Sequence, residues 1–165
     1  MKRTMFFLCG MLVLCGCEAV KERQLTGYWM NRNGESSLYS QKVLFLTTFE
    51  EAAAEGTLFP EEEKSSADGE RFAGIYRTAY LADGVVAADS VLEGRWRIEY
   101  APSKTANRSV YALDLAPSDG NGAVQRFEIS FDGDRLILAD FQQPEITVER
   151  FARVGADAGI KEASK

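Results

Sequence analysis

The chain has 165 residues, with 19 Lys and Arg against 25 Asp and Glu, a net charge of −6, and no histidine. Without an imidazole there is no Ser-His-Asp triad, no Cys-His pair, no HExxH motif and no histidine metal ligand. The excess of acid argues against nucleic acid or an anionic membrane face as partner.

The chain opens MKRTMFFLCGMLVLCGC. Lys2 and Arg3 precede an apolar run from Met5 to Leu14, roughly ten residues long, which suits a secretory signal and is too short to span a bilayer as a helix. Its end, Leu14-Cys15-Gly16-Cys17, resembles a bacterial lipobox. Small residues ahead of a cut let a peptidase approach the backbone, and a thiol receives the lipid. The resemblance implies that residues 1–16 are a lipoprotein signal peptide and that Cys17 is the lipidation site. Cys17 would then carry a diacylglycerol thioether and an N-acyl chain. At about 0.8 kcal/mol per buried methylene, three chains anchor firmly where one does not. Glu18 follows; by resemblance to the enterobacterial sorting rule, a residue other than Asp there implies an outer-membrane address. Whether the periplasmic or the surface face is meant stays open.

The three cysteines are Cys9, Cys15 and Cys17. The region after Cys17 therefore has no disulfide framework, no thiolate nucleophile and no zinc-thiolate or iron-sulfur site. Removing Lys2 and Arg3 with the signal leaves 17 of the 19 basic residues against 25 acids, a net of −8. Residues 17–165 suit a single domain with its own core. No GxSxG, Walker or Rossmann motif is present.

Residues 17–24 are expected to form the lipidated Cys and a polar tether. Beyond them, period-two runs bounded by turn signals recur. The runs are LTGYWMN (25–31), SLYSQKVLFLTTF (37–49), a short EGTLF (55–59), ERFAGIYRTAYLA (70–82), SVLEGRWRIEY (90–100), RSVYALDLA (108–116), AVQRFEISF (123–131), RLILADF (135–141) and ITVERFARV (146–154). Asp-Gly at 83–84, 119–120 and 132–133 marks tight turns, where Gly tolerates positive φ. Thr48 with Glu51 three residues later reads as a capping box, and TFEEAAAEG (48–56) as a short helix. The fold class is all-β: a single antiparallel up-and-down barrel or sandwich of about eight strands with a short helix between early strands. The barrel is expected over 25–154 and a flexible C-terminal tail over 155–165.

Leu25-x-Gly27-x-Trp29 at the start, a second Gly-x-Trp in GRWRI (94–98), the hairpin FDGDRLIL and a closing Phe151-Ala152-Arg153 resemble the lipocalin-like, or calycin, superfamily. The match is to its small bacterial lipoproteins and covers most of residues 24–154. The resemblance implies an up-and-down barrel, with Trp29 closing one end. An Arg from the last strand stacks on the indole; Arg153 is the expected partner and Arg150 the second choice. Gly27 would let the strand bend over that end. The same superfamily includes avidin, and Asn31 matches a biotin-contacting position. Glu35 stands where avidins place a ligand Ser, and the chain has two tryptophans, so biotin binding is not expected.

Alternation puts Phe72, Tyr76, Thr78 and Tyr80 on one face of their run, and Trp96, Ile98 and Tyr100 on one face of theirs. An inner wall of Tyr76, Tyr80, Trp96 and Tyr100 would be a pocket with polar tips; equally, these rings would simply fill the interior. Glu61-Glu62-Glu63 reads as a solvated acidic loop, since calcium-loop spacing is absent. No carboxylate pair stands out for glycoside hydrolysis.

The sequence thus points to a monomeric envelope lipoprotein of the outer membrane, held by its N-terminal lipid, not an enzyme, with no cofactor, metal or nucleic-acid partner. Its barrel is expected to bind a small apolar or amphiphilic molecule. The alternative is a filled barrel that binds a protein or envelope glycan through its rim loops.

Overall fold

The computed structural model describes residues 20–32, 41–60, 64, 65, 69, 71–82, 85–87, 90–103, 107–118, 122–140 and 146–155. The expected signal peptide, Cys17, the acidic loop 61–63, the turns at 83–84 and 119–120 and the tail from 156 onward lie outside them.

Residues 20–25 form a helical turn, α1, instead of tether and strand. Leu25 at its end is fully buried. The strands follow as β1 (Gly27–Arg32), β2 (Gln41–Thr48), β3 (Gly74–Ala82), a two-residue β4 (Val85–Val86), β5 (Leu92–Pro102), β6 (Ser109–Pro117), β7 (Gln125–Asp132), β8 (Arg135–Asp140) and β9 (Thr147–Val154). Helix α2 (Phe49–Ala54) joins β2 to β3. Thr48 accepts the Glu51 amide at 3.1 Å while Glu51 accepts the Thr48 amide at 3.1 Å, which is the expected capping box. The run 55–59, expected as a strand, is not one: it leaves α2 through Gly56 with a positive φ, and Leu58 is exposed. A five-residue segment with no neighbouring strand to pair has no ladder to hold it.

All strand pairings are antiparallel; they join chain neighbours except that β3 pairs with β5 past the short β4 and β1 pairs with β9. The pairing of β2 with β3 over Gln41–Thr48 joins the two ends of the sheet. The result is a closed eight-stranded up-and-down barrel, with β4 as a short flap on β3. It is consistent with a lipocalin-like fold. Closure leaves no free edge along the barrel wall, and every strand needed for it lies within residues 27–154.

Inside, alternation delivers Trp29, Leu44, Leu46, Tyr76, Trp96, Leu113, Leu115, Phe127, Leu136, Leu138 and Phe151 to one core. Eight strands leave an interior about wide enough for side chains, and two tryptophans take much of it. Trp29 and Trp96 are 1% and 0% exposed, so each indole N–H must find a partner. Trp29 donates to Leu25 O at 2.7 Å and Trp96 to Thr47 O at 3.0 Å.

Each tryptophan follows a glycine by two residues, and each glycine has a steric reason. Gly27 sits at φ 118° where the chain turns from α1 into β1, a conformation that L side chains rarely adopt. Gly94 lets β5 pass close to β6: a Cβ there would lie 2.1 Å from Ala116 O and 2.6 Å from the Tyr76 ring.

Truncating Trp29 to Ala removes a buried ring, its hydrogen bond and the cover it gives to Phe131. The expected loss is about 3–5 kcal/mol, measurable as a lower denaturant midpoint; an unchanged midpoint would remove Trp29 from the core.

Candidate functional site

The barrel has two unlike ends. At one end lie α1, α2, the end of β5 with the start of β6, the β7–β8 turn and the last residues of β9; this is the plug end. At the other, the mouth, lie the end of β1 with the start of β2, the end of β6 with the start of β7, the end of β8 with the start of β9, and β4.

At the plug end, the Arg153 guanidinium lies over the Trp29 ring at 4.6 Å and donates Nη2 to Gln24 O. Phe131 packs against Trp29 with centroids 6.3 Å apart. Lys21 of α1 sits over the Phe131 ring at 5.1 Å and the Tyr111 ring at 5.9 Å. Between α1 and the β7–β8 turn is a pocket of about 220 Å³, lined by Lys21, Gln24, Trp29, Phe131, Asp134 and Arg153. The turn itself is the expected Asp132-Gly133 turn, with Gly133 at φ 61°.

At the mouth the inner face turns polar. Lys42 shares its face with Leu44 and Leu46, and Glu149 shares its face with Phe151. Lys42 Nζ binds both carboxylate oxygens of Glu149, at 2.9 and 2.8 Å. The pair spans β1 above Asn31, which is opposite Lys42 in the ladder. Lys42 also lies 5.9 Å from the Tyr80 ring centroid. Both partners are half-buried, at 18% and 22% exposure, so the pair forms a polar layer over the apolar core and keeps some contact with water.

The outer face carries a third polar cluster. Asp114 of β6 is 1% exposed. Its carboxylate accepts from Arg97 Nε at 3.1 Å and from Arg126 Nε and Nη2 at 2.7 Å each, and Arg126 also pairs with Glu99. Phe72 lies over Arg95 at 4.7 Å and Arg97 at 6.0 Å. Burial works to raise the Asp114 carboxyl, but the hydrogen bonds and charges of Arg126 and Arg97 outweigh it and hold it below the usual carboxylate range. The same hydrogen bond raises Arg126. The cluster ties β5, β6 and β7 together across the outer face.

The four rings expected to line a pocket do not meet around one space. Tyr76 and Trp96 belong to the filled core. Tyr80 stands at the mouth beside Lys42, whereas Tyr100 is 58% exposed and packs on Tyr111, 5.1 Å away, toward the plug end. Phe72 precedes β3 and lies on the outer arginines, not with Tyr76. Alternation sorts the faces within a strand but carries no height along the barrel axis: Gly74 pairs with Trp96, so Tyr80 and Tyr100 lie toward opposite ends. Lys42, Glu149 and Lys21 were not singled out in the sequence. Lys42 and Glu149 were findable, since each lies two residues from an inward apolar residue; Lys21 was hidden by the absence of any period in EAVKERQ. Among the described residues no cluster of acidic or sulfur ligands is arranged for a metal, and no helix is long and apolar enough to cross a membrane. Comparison with family models, with curated proteins and with solved structures finds no match.

Because the Asp114 pKa is lower folded than unfolded, its contribution to stability is complete above about pH 4 and is lost as pH falls through the folded value. Asp114→Asn is expected to lower the urea midpoint at neutral pH. It should also lose less on going to about pH 3 than the unaltered chain does. Equal losses in both proteins would show that Asp114 does not carry the acid sensitivity.

Proposed function

We propose that the chain is an envelope lipoprotein of the lipocalin-like kind, anchored through lipid on Cys17, and that its barrel binds a small amphiphilic molecule without catalysis. The observation behind the binding reading is the difference between the two ends. The plug end is closed by α1, Trp29 and Arg153. The mouth presents inward Asn31, Lys42, Tyr80 and Glu149 above a closed apolar floor. A cup of that kind takes a polar group against this polar layer and leaves apolar parts toward the rim. The lipid anchor is supported by the lipobox-like LCGC at 14–17, and the outer membrane by Glu18.

A second reading is favoured by the packing. Below the Lys42–Glu149 pair, Leu44, Leu46, Tyr76, Trp96 and Phe151 are all buried in one core. Exposed Leu92, Val124, Ile146 and Val148 all lie toward the mouth end. Apolar side chains grouped at a rim suit contact with another macromolecule, and in this reading the filled barrel is a scaffold.

Native mass spectrometry of residues 18–165, purified from a bacterial envelope, separates the two. An added mass that disappears on unfolding is expected for the cup. A mass equal to the chain alone, with cross-links from the mouth to another envelope component, is the result of the scaffold. For the anchor, radioactive palmitate is expected to label the unaltered chain and not Cys17→Ala; label retained in that variant would sink it.

A further inference from the structure

The pocket at the plug end is separate from the mouth, and its chemistry is specific. Lys21 Nζ rests on the Phe131 ring and gives one hydrogen bond, 2.9 Å to Gln24 Oε1. An ammonium has three donors. Arg153 is stacked on Trp29 and gives one hydrogen bond, from Nη2 to Gln24 O. A guanidinium has five donors. Both cations line the pocket, each held against a ring and by a hydrogen bond to Gln24, through its side chain for Lys21 and its backbone carbonyl for Arg153. Asp134, from the β7–β8 turn, lines the same space.

We propose that this pocket binds a zwitterionic phospholipid headgroup of the membrane, with the phosphate between Lys21 and Arg153 and the headgroup ammonium beside Asp134. Two cations and one acid complement a phosphate that carries an amine arm better than a bare anion, which Asp134 would repel. Arg and Lys donors to a phosphate form short, charge-assisted hydrogen bonds. The volume of about 220 Å³ falls below that of sites burying whole drug-sized ligands and suits a headgroup. Position points to the membrane as the source. Cys17 precedes Lys21 by four residues, and a residue spans at most about 3.6 Å, so the two lie within roughly 14 Å. A lipid-anchored Cys17 holds the plug end against the headgroup layer and turns the mouth away from it. The membrane source rests on the proposed lipidation of Cys17; the pocket chemistry does not.

The test uses unlipidated residues 18–165, which keep every described element of the barrel. The Trp29 indole N–H resonance is followed during titration with O-phosphoethanolamine. In parallel, the protein is floated with vesicles of phosphatidylethanolamine and phosphatidylcholine. Saturable binding to both is expected, weakened roughly tenfold or more in Lys21→Gln, as for loss of a hydrogen bond between charged groups. Lys21 is the informative position because Arg153 also supports Trp29. Asp134→Asn is expected to weaken phosphoethanolamine and not inorganic phosphate. No response to O-phosphoethanolamine, or a response unchanged in Lys21→Gln, would overturn the site. Binding of the free zwitterion without flotation would overturn the membrane as its source. Palmitate labelling reads the anchor separately, so failure of the pocket and failure of the anchor remain distinct.

Discussion

The indole of Trp29 is the joint on which the barrel end depends. It donates to Leu25 O, the last carbonyl of α1, one of the acceptors that a helix end leaves without an internal partner. It is covered by Arg153 from β9 and flanked by Phe131 from β7. One ring thus ties the first turn of helix, the first strand and the last strand together, across 129 positions of sequence between Gln24 and Arg153. Removing any of these leaves a buried donor, an unpaired carbonyl or an open barrel end. Trp96 makes the same kind of bond to Thr47 O, so the two largest side chains of the core both use backbone oxygens near the plug end. The rest of the interior is layered on that floor.

The repeated Gly-x-Trp follows from this. A tryptophan can reach into a narrow barrel near its end only if the neighbouring backbone comes close. The glycine two residues before supplies the approach: at Gly27 by a left-handed backbone, at Gly94 by the space a Cβ would take from Ala116 and Tyr76. The two motifs look alike in sequence and solve different local problems, a turn in one case and a close strand crossing in the other.

Most of the barrel was legible because its signals are local. Alternation marks eight wall strands within a few residues of where they form. The Thr48–Glu51 box marks α2, and Asp132-Gly133 marks a turn. What was not legible depends on distant contacts. Residues 20–25 have a tether's composition, and only the barrel end waiting for Leu25 and Gln24 makes them a plug. EGTLF has a strand's composition, but no ladder is left for it once β2 and β3 pair directly. Tyr76, Tyr80, Trp96 and Tyr100 share an inward face, yet the strand register scatters them from mouth to plug end. The arginines around Asp114 pair through β5, β6 and β7, a relation that no linear spacing in RWRI or QRF announces.

The ion pair at the mouth bears on what a barrel like this can take up. Lys42 and Glu149 satisfy each other and sit in partial contact with water, a condition in which neither charge needs a ligand. A wholly apolar molecule seated on them would strip that water and give nothing in return, and desolvating charges is expensive. A molecule with a hydroxyl, amide or carboxylate at one end could replace the lost water by hydrogen bonds to Lys42, Glu149 or the Tyr80 hydroxyl. The same pair that limits the depth of the cup therefore selects, in the binding reading, for a ligand whose polar end points inward. In that reading the apolar Leu92 and Ile146 near the rim receive the other end.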